Sequence, residues 1–266
     1  MKTRVLSGLI MAPLLVIIIF NGYVLFAGAF IISLMAVNEF YRGFKEMDVK
    51  PSYPIAVCST ILLYGLGLCQ NIGIIEADNG IIIMLWLFVS ILACLLYLFN
   101  IEHRRLEDSM ATITGIVYVV FFCYHVAMLG MTPMNIFVWL IVITAFGTDI
   151  CAYFAGVCLG KHKLCPVISP KKTWEGAIGG VLGTMILSGL FGYFFANGVL
   201  IHCLIIGFMG SIVSMFGDLT ASVFKRKMGI KDYGNLIPGH GGILDRFDSI
   251  LFTGPLVYYY VSLVLM

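Results

Sequence analysis

The chain has 266 residues, of which 61% are hydrophobic and 11% charged, with a formal net charge of +2. Soluble domains carry about 25% charged residues, and a mean hydropathy of +1.02 is too high for one aqueous globule of this length. These values exclude a soluble globular enzyme and point to an integral membrane protein.

At the start of the chain, Lys2 and Arg4 precede an apolar run, and Ala27-Gly28-Ala29 has the small-x-small form of a cleavage site. Cleavage there would leave about fifteen apolar residues over 30–44, short for a span, so the first helix is expected to be retained. A bilayer core of about 30 Å takes about twenty helical residues. Apolar runs of that length predict nine spans, at about 4–21, 23–44, 54–70, 80–99, 111–129, 135–156, 175–196, 200–224 and 246–265. The breaks are turn-like or charged: Asn21-Gly22, Pro51 to Pro54, Asn79-Gly80, 102–109, Thr132-Pro133, 158–174, Asn197-Gly198 and 225–245. Residues 102–108 read as a solvated loop. The expected fold class is an all-α polytopic membrane protein. Residues 1–134 form an N-terminal, lipid-facing scaffold, and 135–266 form C-terminal helices with catalytic loops. The eight cysteines make no Cys-x-x-Cys pair and read as reduced, small core residues.

Lysine and arginine gather in cytoplasmic loops. With the N-terminus inside, all 16 Lys and Arg residues fall in the inner segments, and the outer loops hold none. This sorting predicts a cytoplasmic N-terminus and an external C-terminus.

That orientation puts the acids of the later spans at one face. Asp149 lies in the inner part of the sixth span and Asp218 in the inner part of the eighth. Asp245 and Asp248 open the ninth, Glu175 opens the seventh, and Glu39 lies near the inner end of the second. Acids within spans are costly and face polar cavities, so a shared cytoplasmic cavity is expected. Helical spacing puts Asp245 with Asp248 on one face, Asp218 with Ser222 and Lys225 on another, and Asp149 with Tyr153 and Gly156 on a third. Carboxylates with little His or Cys nearby suit a hard cation such as Mg²⁺. The competing reading is internal pairing, Asp218 with Lys225 or Asp245 with Arg246.

Pro238-Gly239-His240-Gly241-Gly242 precedes the last span. Gly241 and Gly242 would let backbone approach an anion, and the helix start would direct free N–H groups at it. Lys225, Arg226, Lys231 and Arg246 could hold a triphosphate. His240 reads either as a donor to phosphate or as a loop-structuring residue. Upstream, Ser169 and Thr173 in Ser-Pro-Lys-Lys-Thr-Trp-Glu-Gly look like helix caps. Lys171 and Lys172 read either as interfacial anchors or as phosphate contacts. His125 and His202 read as packing or hydrogen-bonded residues.

Residues 222–248 resemble the signature of the phosphatidate cytidylyltransferases. Ser222, Lys225, Arg226, Lys231, Asp232, Pro238, His240, Gly241, Gly242, Asp245, Arg246 and Asp248 all match that pattern. Ser169 to Gly176, Gly217-Asp218-Leu219 and Asp149 to Gly156 are similar to the family as well, so the likeness covers most of 149–248. It implies that CTP and phosphatidic acid give CDP-diacylglycerol and pyrophosphate for phospholipid biosynthesis. It also implies dependence on Mg²⁺, with room for a second cation, and a homodimer in a cell membrane, plasma or inner, with the active site on the cytoplasmic face. On this reading Asp218, Asp245 and Asp248 bind metal, with Asp149 a further contributor. Lys225 and Arg226 join Asp218, Asp245 and Asp248 as catalytic residues. Lys171, Lys172, Ser222, Lys231, His240, Gly241, Gly242 and Arg246 contact the substrates. No nucleic acid is expected as a partner. Two other classes also fit acids within spans: an ion-coupled transporter, and a CTP-dependent lipid kinase that moves the γ-phosphate.

Overall fold

A computed structural model of the protein describes residues 22–196, 198–236 and 241–266. The predicted span over 4–21, with the retained first helix, and Pro238, Gly239 and His240 lie outside the described residues. Among the described residues, eight helices are long and apolar enough to cross a membrane. They are α1 (Gly22–Gly43), α2 (Tyr53–Asn71), α3 (Asn79–Tyr97), α4 (Leu106–Gly130), α5 (Asn135–Leu159), α6 (Trp174–Phe195), α7 (Leu200–Lys227) and α8 (Leu244–Val264). Each coincides with one predicted span from 23–44 onward. The protein is a helical, multi-pass membrane protein.

Three expectations need correction. First, α4 begins at Leu106, so 102–108 is not all solvated loop. Asp108 is only 2% exposed, and its carboxylate accepts the N–H groups of Lys50 (2.7 Å) and Arg105 (3.0 Å). Acids favour the first turn of a helix because the free N–H groups there carry positive partial charge.

Second, a short antiparallel hairpin interrupts the all-helical pattern. β1 (Lys163–Cys165) pairs with β2 (Ser169–Thr173). Ser169 is therefore not a helix cap: Pro170 biases it toward extended backbone. Thr173 does cap, its Oγ1 accepting the Gly176 N–H at 3.1 Å at the start of α6.

Third, the cysteines are free, but only Cys94, Cys123 and Cys203 are buried; Cys58 and Cys158 are exposed.

The chain packs as two compact units. The first holds residues up to Met131 together with Met228–Arg246; the second holds Thr132–Lys227 and Phe247–Met266.

In the first unit α1 lies along α4 around an aromatic core. The Tyr64 ring meets Phe26 and Tyr124 edge-on, with centroids 5.2 and 5.0 Å apart. Its hydroxyl shares a hydrogen bond with Ser33 Oγ at 2.9 Å. Trp86 stacks on Phe121 and donates to the Ser59 carbonyl at 2.9 Å. Such pairing matters because a buried polar group without a partner costs several kcal/mol in hydrocarbon. His125 and His202 are hydrogen-bonded as expected, to the Phe121 carbonyl and the Tyr260 hydroxyl. The segment from Met228 folds against α1, with Met228 and Ile230 over Gly43. Tyr233 is buried there, with its ring 6.0 Å from that of Phe40.

In the second unit α6 packs closely on both α5 and α7. Small residues permit it, as is usual where lipid provides no hydrophobic drive between helices. A Cβ at Gly176 would lie 2.8 Å from the Ala152 carbonyl, and one at Gly207 would lie 2.8 Å from Ser188. Midway along α5, Ile143–Gly147 form a wide π turn, which rotates the residues after it relative to those before.

Asp108→Ala removes the buried acceptor of two partly buried hydrogen bonds at the start of α4. It should destabilise the protein by about 1–3 kcal/mol, read as a lower melting temperature in detergent against Glu107→Ala as control.

Candidate functional site

The second unit contains a cavity of about 490 Å³, a volume suited to a small-molecule ligand. α5 contributes Asp149, Tyr153 and Gly156 to its wall. Their spacing of four and three puts them on one helical stripe, as predicted, and the stripe faces the cavity. The hairpin contributes Lys163, Ser169, Lys171 and Lys172, and Thr173 closes it at the start of α6. Apolar wall comes from Val157, Leu164 and Met215. The lining thus combines lysines and hydroxyls with aliphatic side chains, which suits an anionic head attached to an apolar body.

The hairpin is fastened at its base. Glu175 accepts the N–H groups of Lys161 (3.1 Å) and His162 (3.2 Å) and contacts His162 Nδ1 at 2.6 Å. Glu175 therefore serves loop geometry and is not among the residues lining the cavity.

Lys172 forms an ion pair with Asp218 of α7. Both side chains are about one-quarter exposed, at 25% and 26%. Charge pairing does occur at Asp218, but the partner is Lys172, 46 residues earlier, and not Lys225. Gly217 helps place this carboxylate. A Cβ there would lie 2.8 Å from the Asp248 carbonyl, so glycine lets α7 approach α8 at that level. Asp248 is 7% exposed, and its Oδ1 accepts the Ser249 N–H at 2.8 Å. It lies within electrostatic reach of Asp218, Lys225 and Asp149. The second unit thus brings together Asp149, Lys171, Lys172, Asp218, Lys225 and Asp248. Ser222 is half-buried on α7, and Arg226 is exposed in its last turn, where a cation complements the helix dipole.

Among the described residues, no group of three or more His, Cys, Asp or Glu side chains is arranged to hold a metal ion. The donor chemistry nonetheless suits a hard cation: Asp149, Asp218 and Asp248 are oxygen donors, and the charge now facing Asp218 is the Lys172 ammonium.

The remaining predicted site residues belong to the first unit. Lys231 is exposed and Arg246 half-buried. Asp245 is 8% exposed, and its Oδ2 accepts the N–H groups of Tyr233 (2.8 Å) and Gly242 (2.9 Å). Glu39, reaching from α1, accepts the Ile243 N–H on Oε1 (3.1 Å) and the Leu244 N–H on Oε2 (2.8 Å). The expectation of free N–H groups at Gly242 and the start of α8 is therefore corrected. Two carboxylates of the protein take the place predicted for an external anion, since an N-terminus accepts any nearby negative charge. His240 lies outside the described residues.

Sequence reasoning gave Lys163 no role and placed Tyr153 only on the stripe of Asp149; Glu39, expected with the other acids at a shared cavity, belongs to the first unit and is not among the residues lining this one. Lys163 carried no signal beyond a basic loop residue. Tyr153 was visible as one turn from Asp149. Glu39 carried the general signal of a carboxylate inside an apolar span.

A family model described as the cytidylyltransferase family matches residues 2–264. The phosphatidate cytidylyltransferase of Bacillus subtilis (strain 168) is 31% identical over 99% of this chain and 98% of its own. The protein of that name from Staphylococcus epidermidis (strain ATCC 35984) is 34% identical over 97% of both chains. That of Rickettsia bellii (strain RML369-C) is 34% identical over 73% of this chain and 89% of its own.

Lys172→Met leaves the Asp218 carboxylate without its ammonium partner in a partly buried site. It should cost about 1–3 kcal/mol, whereas Lys171→Met, at an exposed residue, should cost less than about 0.5 kcal/mol. Paired melting curves in detergent compare the two.

Proposed function

The chain belongs to the cytidylyltransferase family, and on that premise we propose that its cavity is where the cytidylyl group of CTP passes to phosphatidic acid. The products are CDP-diacylglycerol and pyrophosphate, and the enzyme is a CTP-dependent nucleotidyltransferase of phospholipid biosynthesis. The observation that carries this reading is the lining of the cavity, which combines Asp149, Lys171 and Lys172 with the aliphatic side chains of Val157 and Leu164. Phosphates would meet the lysines, and acyl carbon the apolar wall.

A phosphate oxygen of the lipid attacks the α-phosphorus of CTP. A new P–O bond forms as the bond from the α-phosphorus to the bridging oxygen breaks, and pyrophosphate carries away the electron pair. A phosphate monoester is already nucleophilic near neutral pH, so the step asks for no dedicated general base. Two anions must approach each other, so charge neutralisation supplies most of the catalysis. Lys171 and Lys172 hold phosphate in the cavity, and Lys225 and Arg226 lower the negative potential beside Asp218 and Asp248. Confining the lipid to the bilayer reduces the entropic cost of the encounter.

Mg²⁺ is the proposed cofactor, with Asp218, Asp248 and Asp149 as its candidate ligands; the family signature assigns Asp245 to it as well, and a second cation is compatible with this number of acids. Bound there, it would neutralise phosphate charge. Lys172 would then exchange Asp218 for a substrate phosphate. Ser222, Lys231, His240, Gly241, Gly242 and Arg246 are assigned to substrate contacts by the family signature. The same reading carries nine spans, a cytoplasmic N-terminus, an external C-terminus and a homodimer. It places the protein in the cell membrane with the reaction on the cytosolic side, where CTP is found.

Detergent-purified protein with CTP, Mg²⁺ and phosphatidic acid should form a CDP-lipid. Label in the α position of CTP should enter the lipid, and label in the γ position should leave as pyrophosphate. Lipid labelled from the γ position would mark a kinase and overturn the reading. Asp245→Asn keeps an acceptor for the loop N–H groups but removes the charge. Turnover should fall by about 100-fold or more with the melting temperature little changed. Near wild-type turnover would take Asp245 out of the mechanism.

A further inference from the structure

The start of α8 is held from a distance. Glu39, more than two hundred residues earlier, accepts both the Ile243 and the Leu244 N–H. The carboxylate sits in a cradle that lacks side chains. A Cβ at Gly234 would lie 2.7 Å from Glu39 Oε1, and a Cβ at Gly242 would collide with both oxygens. Glu39 is itself only 8% exposed and lies beside Phe40, against which Tyr233 packs. The Tyr233 N–H in turn donates to Asp245, as does that of Gly242. Four backbone donors in one short segment are thus divided between two carboxylates: Ile243 and Leu244 to Glu39, Tyr233 and Gly242 to Asp245. The first set fixes where the helix begins, and the second fixes where Asp245 points.

We propose that Glu39 is a positioning residue for the reaction: by pinning the first turn of α8 and the glycine turn before it, its carboxylate sets the aim of Asp245. The inference rests on the functional reading above for Asp245, and on hydrogen-bond geometry for Glu39. Glu39 touches no reacting atom. Its effect passes through the backbone of Gly242, Ile243 and Leu244 to a side chain that has one orientation only while that turn is rigid. Partners that orient ligating groups in this way commonly change affinity or activity by about 10–100-fold when removed.

Hydrogen exchange on the full-length wild-type protein in detergent tests the contact directly. First-turn amides of a helix normally exchange fast, so slow exchange at Ile243 and Leu244, released in Glu39→Gln, is the expected result. Fast exchange of these amides in the wild type overturns the proposal without any variant. In the CTP and phosphatidate assay, Glu39→Gln should lower kcat by about 10–100-fold. It should leave KM for CTP within about threefold and the melting temperature close to wild type. Gly242→Ala, which pushes a methyl group into the carboxylate, should lower kcat similarly. In the Glu39→Ala background it should add nothing, because both changes act on one contact. An unchanged kcat in Glu39→Gln, a loss that follows the melting temperature, or additive losses in the pair would each overturn the proposal. Failure of the wild type to form a CDP-lipid would instead remove the functional reading, and the exchange data would still decide whether Glu39 holds the turn.

Discussion

A carboxylate carried by apolar helices must find a cation or a set of N–H donors, because hydrocarbon offers neither. The polar part of this protein is arranged by that requirement. Asp108 takes two backbone N–H groups at the start of α4, Asp245 takes two from the turn before α8, and Glu39 takes two from α8 itself. Asp218 takes an ammonium instead. Asp149 and Asp248, with Lys225 close to Asp248, complete the acidic group beside the cavity of the second unit. Acids that satisfy backbone are held rigidly, whereas an acid that faces a lysine can exchange partners.

Close helix approach is the second constraint, and it serves the first. Glycines and alanines on α5 and α6, and Gly217 on α7, remove the side chains that would otherwise hold the helices apart. Gly217 has a specific consequence: it sits next to Asp218 and faces the Asp248 backbone, so the residue that permits contact adjoins one that uses it. The hairpin then adds Lys163, Lys171 and Lys172 over the α5 stripe, tied down by Glu175 at its base. A cationic roof over an acidic and aliphatic wall follows from these few local choices.

The amphiphilic lining is consistent with the reaction proposed for the chain. A diacylated phosphate and a nucleoside triphosphate differ in where their apolar mass lies but share anionic groups that repel. An enzyme joining them gains most by lowering that repulsion and by holding both phosphates in register. Lysines on a pinned hairpin, opposite carboxylates suited to a hard cation, can do both.

Much of this was legible in the residues. Helix positions followed from apolar runs of membrane-spanning length, and the stripe of Asp149, Tyr153 and Gly156 followed from helical spacing, because both depend on neighbours along the chain. The Thr173 cap was readable for the same reason. Composition and spacing could not give the extended run from Ser169, where Pro170 and pairing with β1 override a cap-like sequence, nor the wide turn in α5. They also could not choose the partner of Asp218 or reveal that Glu39 occupies the N–H groups of α8. Those contacts join residues 46 and about two hundred positions apart, and a carboxylate finds its cation or donor only once the helices have packed. The sequence by itself determined which charges the membrane protein carries and along which helices; tertiary packing decided which of them meet, because only distance in space sets which pairs can compensate each other away from water.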